Sequence, residues 1–102
     1  MLAYRTKWHI KEGHVQEAVE LLQDSLDFYK ARGLEARVYY EPQVSPRSVL
    51  VWEENWENPA EHDKFWAEGA EVHTGEGAKE WWAKWAEVVE GEAKTEVWSL
   101  LK

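Results

Sequence analysis

Four consecutive apolar residues, Val49-Leu50-Val51-Trp52, constrain this chain more than any other feature. Successive side chains of a strand point to opposite faces, so the run places Val49 and Val51 on one face and Leu50 and Trp52 on the other. Apolar residues on both faces are the mark of a central strand covered on each side. Whatever fold the chain takes must therefore supply two covers for one sheet.

The flanking sequence names the elements around that strand. Residues 3 to 10 alternate, with Tyr4, Thr6, Trp8 and Ile10 on one side and Arg5, Lys7 and His9 on the other, which predicts a first strand. Gly13 ends it. From His14 to Arg32 the apolar residues Val15, Ala18, Val19, Leu22, Leu26 and Tyr29 fall on one helical stripe, and Gly33 supplies the stop. Residues 36 to 42 predict a second strand that Pro42 closes, which suits an edge position, and Ser45-Pro46 makes the turn into a third strand from Ser48 to Glu54.

Asn58-Pro59-Ala60-Glu61 reads as a helix start, with Asn58 as cap, Pro59 at the first helical position and Glu61 at the capping-box place. That helix is expected to end near Val72, and His73-Thr74-Gly75-Glu76-Gly77 to break the chain. A second piece then runs from Ala78 to Glu90, with Ala78, Trp81, Trp82, Trp85, Val88 and Val89 within one stripe that reads as core. Gly91 is expected to stop it, and Lys94 to Leu101 to form the last strand.

Strand, helix, strand, strand, broken helix, strand predicts an α+β ferredoxin-like βαββαβ sandwich: a four-stranded antiparallel sheet with its helices on one side. All 102 residues fit one domain. The helices cover one face only. The second cover is most simply an identical subunit, so a homodimer is expected, the sheets of two chains packing as a dimeric α/β barrel.

Composition narrows the function classes. Eight Trp, four Tyr and two Phe make 14% of the chain aromatic, too many for a disordered segment. There is no Cys, which excludes disulfides, thiolate catalysis and Cys-held metal centres. The net charge is −8, and residues 53 to 102 carry thirteen acidic against five basic residues, which argues against a nucleic-acid partner. The opening residues MLAYRTKWHI lack the apolar core of a secretory signal, and no window approaches a membrane span, so the expectation is a cytoplasmic protein with no membrane partner.

In Ile10-Lys11-Glu12-Gly13, in the run Val49-Leu50-Val51-Trp52-Glu53-Glu54-Asn55-Trp56-Glu57-Asn58, in Ala60-Glu61-His62-Asp63-Lys64-Phe65-Trp66 and in the closing Glu96-Val97-Trp98, the chain resembles the dimeric α/β-barrel superfamily. Within it the resemblance is to small relatives of the antibiotic-biosynthesis monooxygenases. It implies a barrel-forming homodimer with a pocket between sheet and helices or inside the barrel. The architecture hosts many chemistries, so it does not fix an activity. A haem-degrading branch of the superfamily pairs a His on the second helix with an upstream Trp and an Asn on the first strand. Trp66 and His73 match the first two, but no Asn lies between Tyr4 and Ile10, so neither haem nor any other cofactor is expected, and no metal.

No phosphate-binding loop and no nucleophile elbow is present, so any chemistry must come from a pocket. Two clusters are candidates. His62, Phe65, Trp66, Gly69 and His73 share one helical face. On the sheet, Arg5, Lys7 and His9 face away from the helices, where Arg37, Tyr39 and Glu53 join them. Buried charges persist only when paired, so Arg5 or Arg37 with Glu53 is the expected couple. That group reads either as a structural ion-pair network at a subunit interface or as a site for a small anionic or phenolic ligand.

Two functional classes follow. One is a cofactor-independent monooxygenase acting on an aromatic or anionic small molecule, with Trp66, His62 and Arg5 as catalytic residues and His9, Arg37, Tyr39, Glu53 and His73 as ligand-binding residues. The other is a non-catalytic ligand-binding or structural homodimer module.

Overall fold

The computed structural model describes residues 1–41, 48–73 and 76–101, with side chains described outside 68–78. Its elements are β1 (Leu2–Ile10), α1 (Val15–Ala31), β2 (Ala36–Glu41), β3 (Ser48–Trp56), α2 (Pro59–His73), α3 (Glu76–Val88) and β4 (Val89–Ser99). The strands form one antiparallel sheet in the order β2-β3-β1-β4. This is the ferredoxin-like arrangement, with β3 central and β2 at an edge. The expected turn at Ser45-Pro46 lies outside the described residues.

Register fixes the two faces. Tyr4 lies opposite Glu54, Thr6 opposite Trp52 and Trp8 opposite Leu50, so these side chains share the face on which the helices pack. Arg5 opposite Glu53, Lys7 opposite Val51 and His9 opposite Val49 occupy the other. The core under the helices joins Ile10, Leu50, Trp52 and Trp56 of the sheet to Ala18, Leu22 and Tyr29 of α1 and Trp85 and Val88 of α3. Each such large apolar side chain contributes roughly 1.5–3 kcal/mol by leaving water.

The element ends follow local chemistry. Gly33 takes φ +70° after α1, and Leu34 N–H bonds back to the Tyr29 carbonyl at 3.0 Å, closing the helix in a left-handed turn that glycine makes without steric cost. Asn58 caps α2 as expected, its Oδ1 accepting from Glu61 N–H at 2.9 Å.

The last crossover departs from expectation. The helix does not continue to Glu90: α3 stops at Val88 and β4 starts at Val89 with no loop between them. Val89 pairs with Ile10, Glu90 with His9, and Lys11 N–H donates to the Val88 carbonyl at 2.9 Å, so strand pairing by β-branched residues overrides the helical stripe. Gly91 is therefore not a helix stop. It sits inside β4 at φ +74°, where the register with β1 shifts between Lys7 and His9, the position of a β-bulge. The third strand also runs past Glu54 to Trp56, because Trp56 pairs with Leu2, whereas Leu100 and Leu101 lie beyond β4.

The Trp stripe of α3 is only partly core. Trp85 is 2% exposed and Val88 1%, but Trp82 remains 41% exposed, at the rim of the packed layer. Among the described residues no helix is long and apolar enough to cross a membrane.

Candidate functional site

Glu54 is the centre of the helix-covered face. Strand alternation sets Leu50, Trp52, Glu54 and Trp56 on one side of β3, so a carboxylate falls in an otherwise apolar row and is left 3% exposed. Burying it without partners would cost several kcal/mol. Partners come from three elements. Tyr29 of α1 donates its hydroxyl to Oε2 at 2.5 Å, Trp52 donates its indole N–H to the same oxygen at 3.1 Å, and Trp66 of α2 donates to Oε1 at 2.7 Å. His62, one helical turn before Trp66, brings Nε2 to 3.4 Å from Oε1.

Tyr29 is held in its neutral form. Burial, and then the adjacent Glu54 charge, push the Tyr29 phenol well above the ordinary tyrosine range, so it keeps the proton it donates. His62 is fixed by stacking flat on Tyr4, with ring centroids 3.9 Å apart and planes 4° apart. Its other nitrogen, Nδ1, lies 3.0 Å from the exposed Asp63 carboxylate. One imidazole thus touches a buried and an exposed carboxylate at its two nitrogens, whose donor and acceptor roles follow its tautomer and protonation.

Beside Glu54 a cavity of about 350 Å³ opens between the sheet and the helices. Glu54, His62 and Trp66 form one part of its wall, and Trp81, Trp82 and Trp85 of α3 another. Thr6 and Trp8 of β1 and Val97 of β4 also line it. Trp81 is anchored by its indole N–H to the Leu21 carbonyl at 2.8 Å and stacks on Trp85 at 5.3 Å. Trp85 keeps a buried indole N–H with no hydrogen-bond partner among the described residues. No Lys or Arg is among the described lining residues; the wall is mostly aromatic, with one carboxylate, one imidazole and the hydroxyls of Thr6, Ser25 and Thr95.

The polar cluster expected on the opposite face is assembled there. Arg5 Nε lies 2.6 Å from Glu53 Oε1, and the Tyr39 hydroxyl donates to Glu53 Oε2 at 3.2 Å. Arg37 sits across from Glu53 in the β2–β3 register. The hydrogen bond to Glu53 raises the Arg5 guanidinium above its ordinary value, and that to Tyr39 does the same for Arg37. Glu53 is buried, yet the Arg5 side chain is 45% exposed, so this is a half-wet pair and not a sequestered one. His9 lies on the same face, half-buried, opposite Val49 and Glu90.

Of the three residues expected to act together, the fold joins His62 and Trp66 and sets Arg5 on the far side of the sheet, where it cannot meet a ligand bound beside them. The side chain of His73 lies outside those described. Sequence reasoning passed over Glu54 in favour of its neighbour Glu53, and it used Tyr29 and Tyr4 only as apolar positions. The signal was present: Glu54 has the parity of Leu50 and Trp52, and a carboxylate with core parity demands donors. Among the described residues no three His, Asp or Glu side chains converge as metal ligands.

No protein-family model matches the chain, and no curated protein does. Solved structures do match. An uncharacterized NIPSNAP domain protein from Burkholderia xenovorans superposes with a TM-score of 0.73 at 12% identity, covering 98% of this chain and 94% of that one. The structure of an antibiotic biosynthesis monooxygenase does so with a TM-score of 0.71 at 14% identity over 100% of both chains. A conserved protein from Methanosarcina mazei Go1 gives 0.65 at 22% identity, covering 96% and 92%. The chain thus has the ferredoxin-like α+β fold of these NIPSNAP and antibiotic biosynthesis monooxygenase structures, as its sequence resemblance implied.

Proposed function

We propose that this protein binds a small organic molecule in the Trp-lined cavity beside Glu54. The observation that carries this reading is the cavity itself: about 350 Å³ of space under the helices, walled by aromatic rings around a single buried carboxylate. Pockets for small ligands have this size and this composition, an apolar wall with few polar groups that orient the guest. Calorimetric titration with 2-naphthol, a compact aromatic alcohol, tests the reading. Binding that is lost in Ser25→Leu, which pushes a larger side chain into the cavity from α1, supports it; no heat at high ligand concentration sinks it.

A second reading makes the site a cofactor-independent monooxygenase acting on an aromatic substrate. Its support is the chain of contacts from Glu54 through His62 to exposed Asp63, a route by which a substrate proton reaches solvent. Oxygen uptake that depends on both an aromatic compound and His62 distinguishes turnover from binding alone.

The open sheet face is assigned to a second copy of the chain. Tyr39 and Trp98 are exposed there beside the half-buried Val51, and a twofold partner offers the same mixture of aromatic, Arg5–Glu53 and Lys7 groups in return.

A further inference from the structure

We infer that the guest of this cavity is an organic cation without N–H groups, a quaternary ammonium. This rests on the proposed reading that the cavity takes a ligand, and it names the ligand's class. The argument begins with what Glu54 lacks. A carboxylate offers about four lone-pair sites, and here Tyr29, Trp52 and Trp66 occupy three of them while His62 stands at the fourth. Its hydrogen bonding is close to complete. Its charge is another matter, because Tyr29, Trp52 and Trp66 are neutral donors, His62 offsets the charge only when it is protonated, and no described Lys or Arg lines the cavity. At a carboxylate only 3% exposed, a unit negative charge attracts a cation more strongly than it does in solvent.

The cation that suits such a site has charge but no donors to place. A primary ammonium would bring three N–H groups to a carboxylate whose acceptor sites are taken. A quaternary ammonium asks only for a negative field and polarisable faces, and Trp faces are the best aromatic partners for it. Five of the lining residues, Trp8, Trp66, Trp81, Trp82 and Trp85, supply indoles besides the Trp52 that holds Glu54. An anionic guest, by contrast, would meet Glu54 with no cation to offset it.

Choline and its neutral carbon isostere 3,3-dimethylbutan-1-ol separate the effects of charge and shape. Both are titrated calorimetrically into the full chain at constant ionic strength and constant pH, with 2-naphthol as a control for access to the cavity. The expected result is choline binding at least tenfold tighter than the isostere, with the preference lost in Glu54→Gln and weakened severalfold in Trp82→Leu, a change at a partly exposed position. Equal affinities of choline and the isostere overturn the inference whether or not either variant folds. Binding of 2-naphthol alone also overturns it while leaving the cavity reading intact, and failure of all three probes overturns both.

Discussion

The Tyr29 hydroxyl donates to Glu54 at 2.5 Å, joining the last turn of α1 to the central strand through a buried phenol–carboxylate contact. Tyr29→Phe removes one donor from a carboxylate that is only 3% exposed. A loss of about 1–3 kcal/mol is expected at neutral pH in urea unfolding. The same contact makes an alkaline signature. Burial and then Glu54 hold the folded-state phenol above its unfolded value of 10.0, so the folded protein keeps a proton that the unfolded chain releases. The stabilisation is full below pH 10 and falls as pH rises beyond it, by up to about 1.4 kcal/mol per pH unit. Unfolding free energies of wild type and Tyr29→Phe should therefore converge above pH 10; parallel profiles would contradict this account of the pair.

Trp85 and Trp82 lie on one helical stripe but in different surroundings. Trp85→Ala should cost about 3–5 kcal/mol, since it empties a site that is 2% exposed between Trp8 and Trp81. Trp82→Ala should cost much less, because that side chain already meets solvent. Chemical denaturation of the two variants measures the difference, and equal losses would place Trp82 in the core.

Gly91→Ala isolates backbone strain from packing. A Cβ at this position has nothing within 4 Å, but the backbone holds φ +74°, a conformation that costs an L side chain roughly 1–2 kcal/mol. Thermal unfolding of the variant should show a loss of that size. An unchanged midpoint would mean that the bulge in β4 relaxes.

The fold was legible wherever one periodicity ran without competition. Residues 4 to 10 alternate, residues 15 to 29 keep a single helical stripe, and Asn58-Pro59 marks a helix start, and all three elements form where expected. At Val88-Val89 two signals overlapped. A helical stripe and a β-branched pair occupy the same residues, and only the pairing of Val89 with Ile10, distant in sequence, decides between them. The site was half legible for a related reason. His62 and Trp66 share a helical face that sequence can read, but Glu54 matters because Tyr29 and Trp66 arrive from two different helices, and no local pattern encodes that meeting.

The open sheet face predicts self-association. Sedimentation equilibrium at low micromolar concentration should give a dimer whose melting temperature rises with protein concentration. Val51→Asp puts a charge at the middle of that face and should give monomer or unfolded chain. A wild-type monomer whose melting temperature is independent of dilution would contradict the proposed cover.

The central claim, that a small molecule enters between sheet and helices beside Glu54, is tested most directly by the indole N–H resonances in a ¹H–¹⁵N correlation spectrum during titration with 2-naphthol. Trp52 and Trp66 donate to Glu54 at the cavity wall, whereas Trp98 donates to Glu96 and lines a hollow on the opposite face. Saturable shifts of the Trp52 and Trp66 signals with Trp98 unmoved are predicted. Shifts confined to Trp98, or none in any indole at millimolar ligand, would contradict the account.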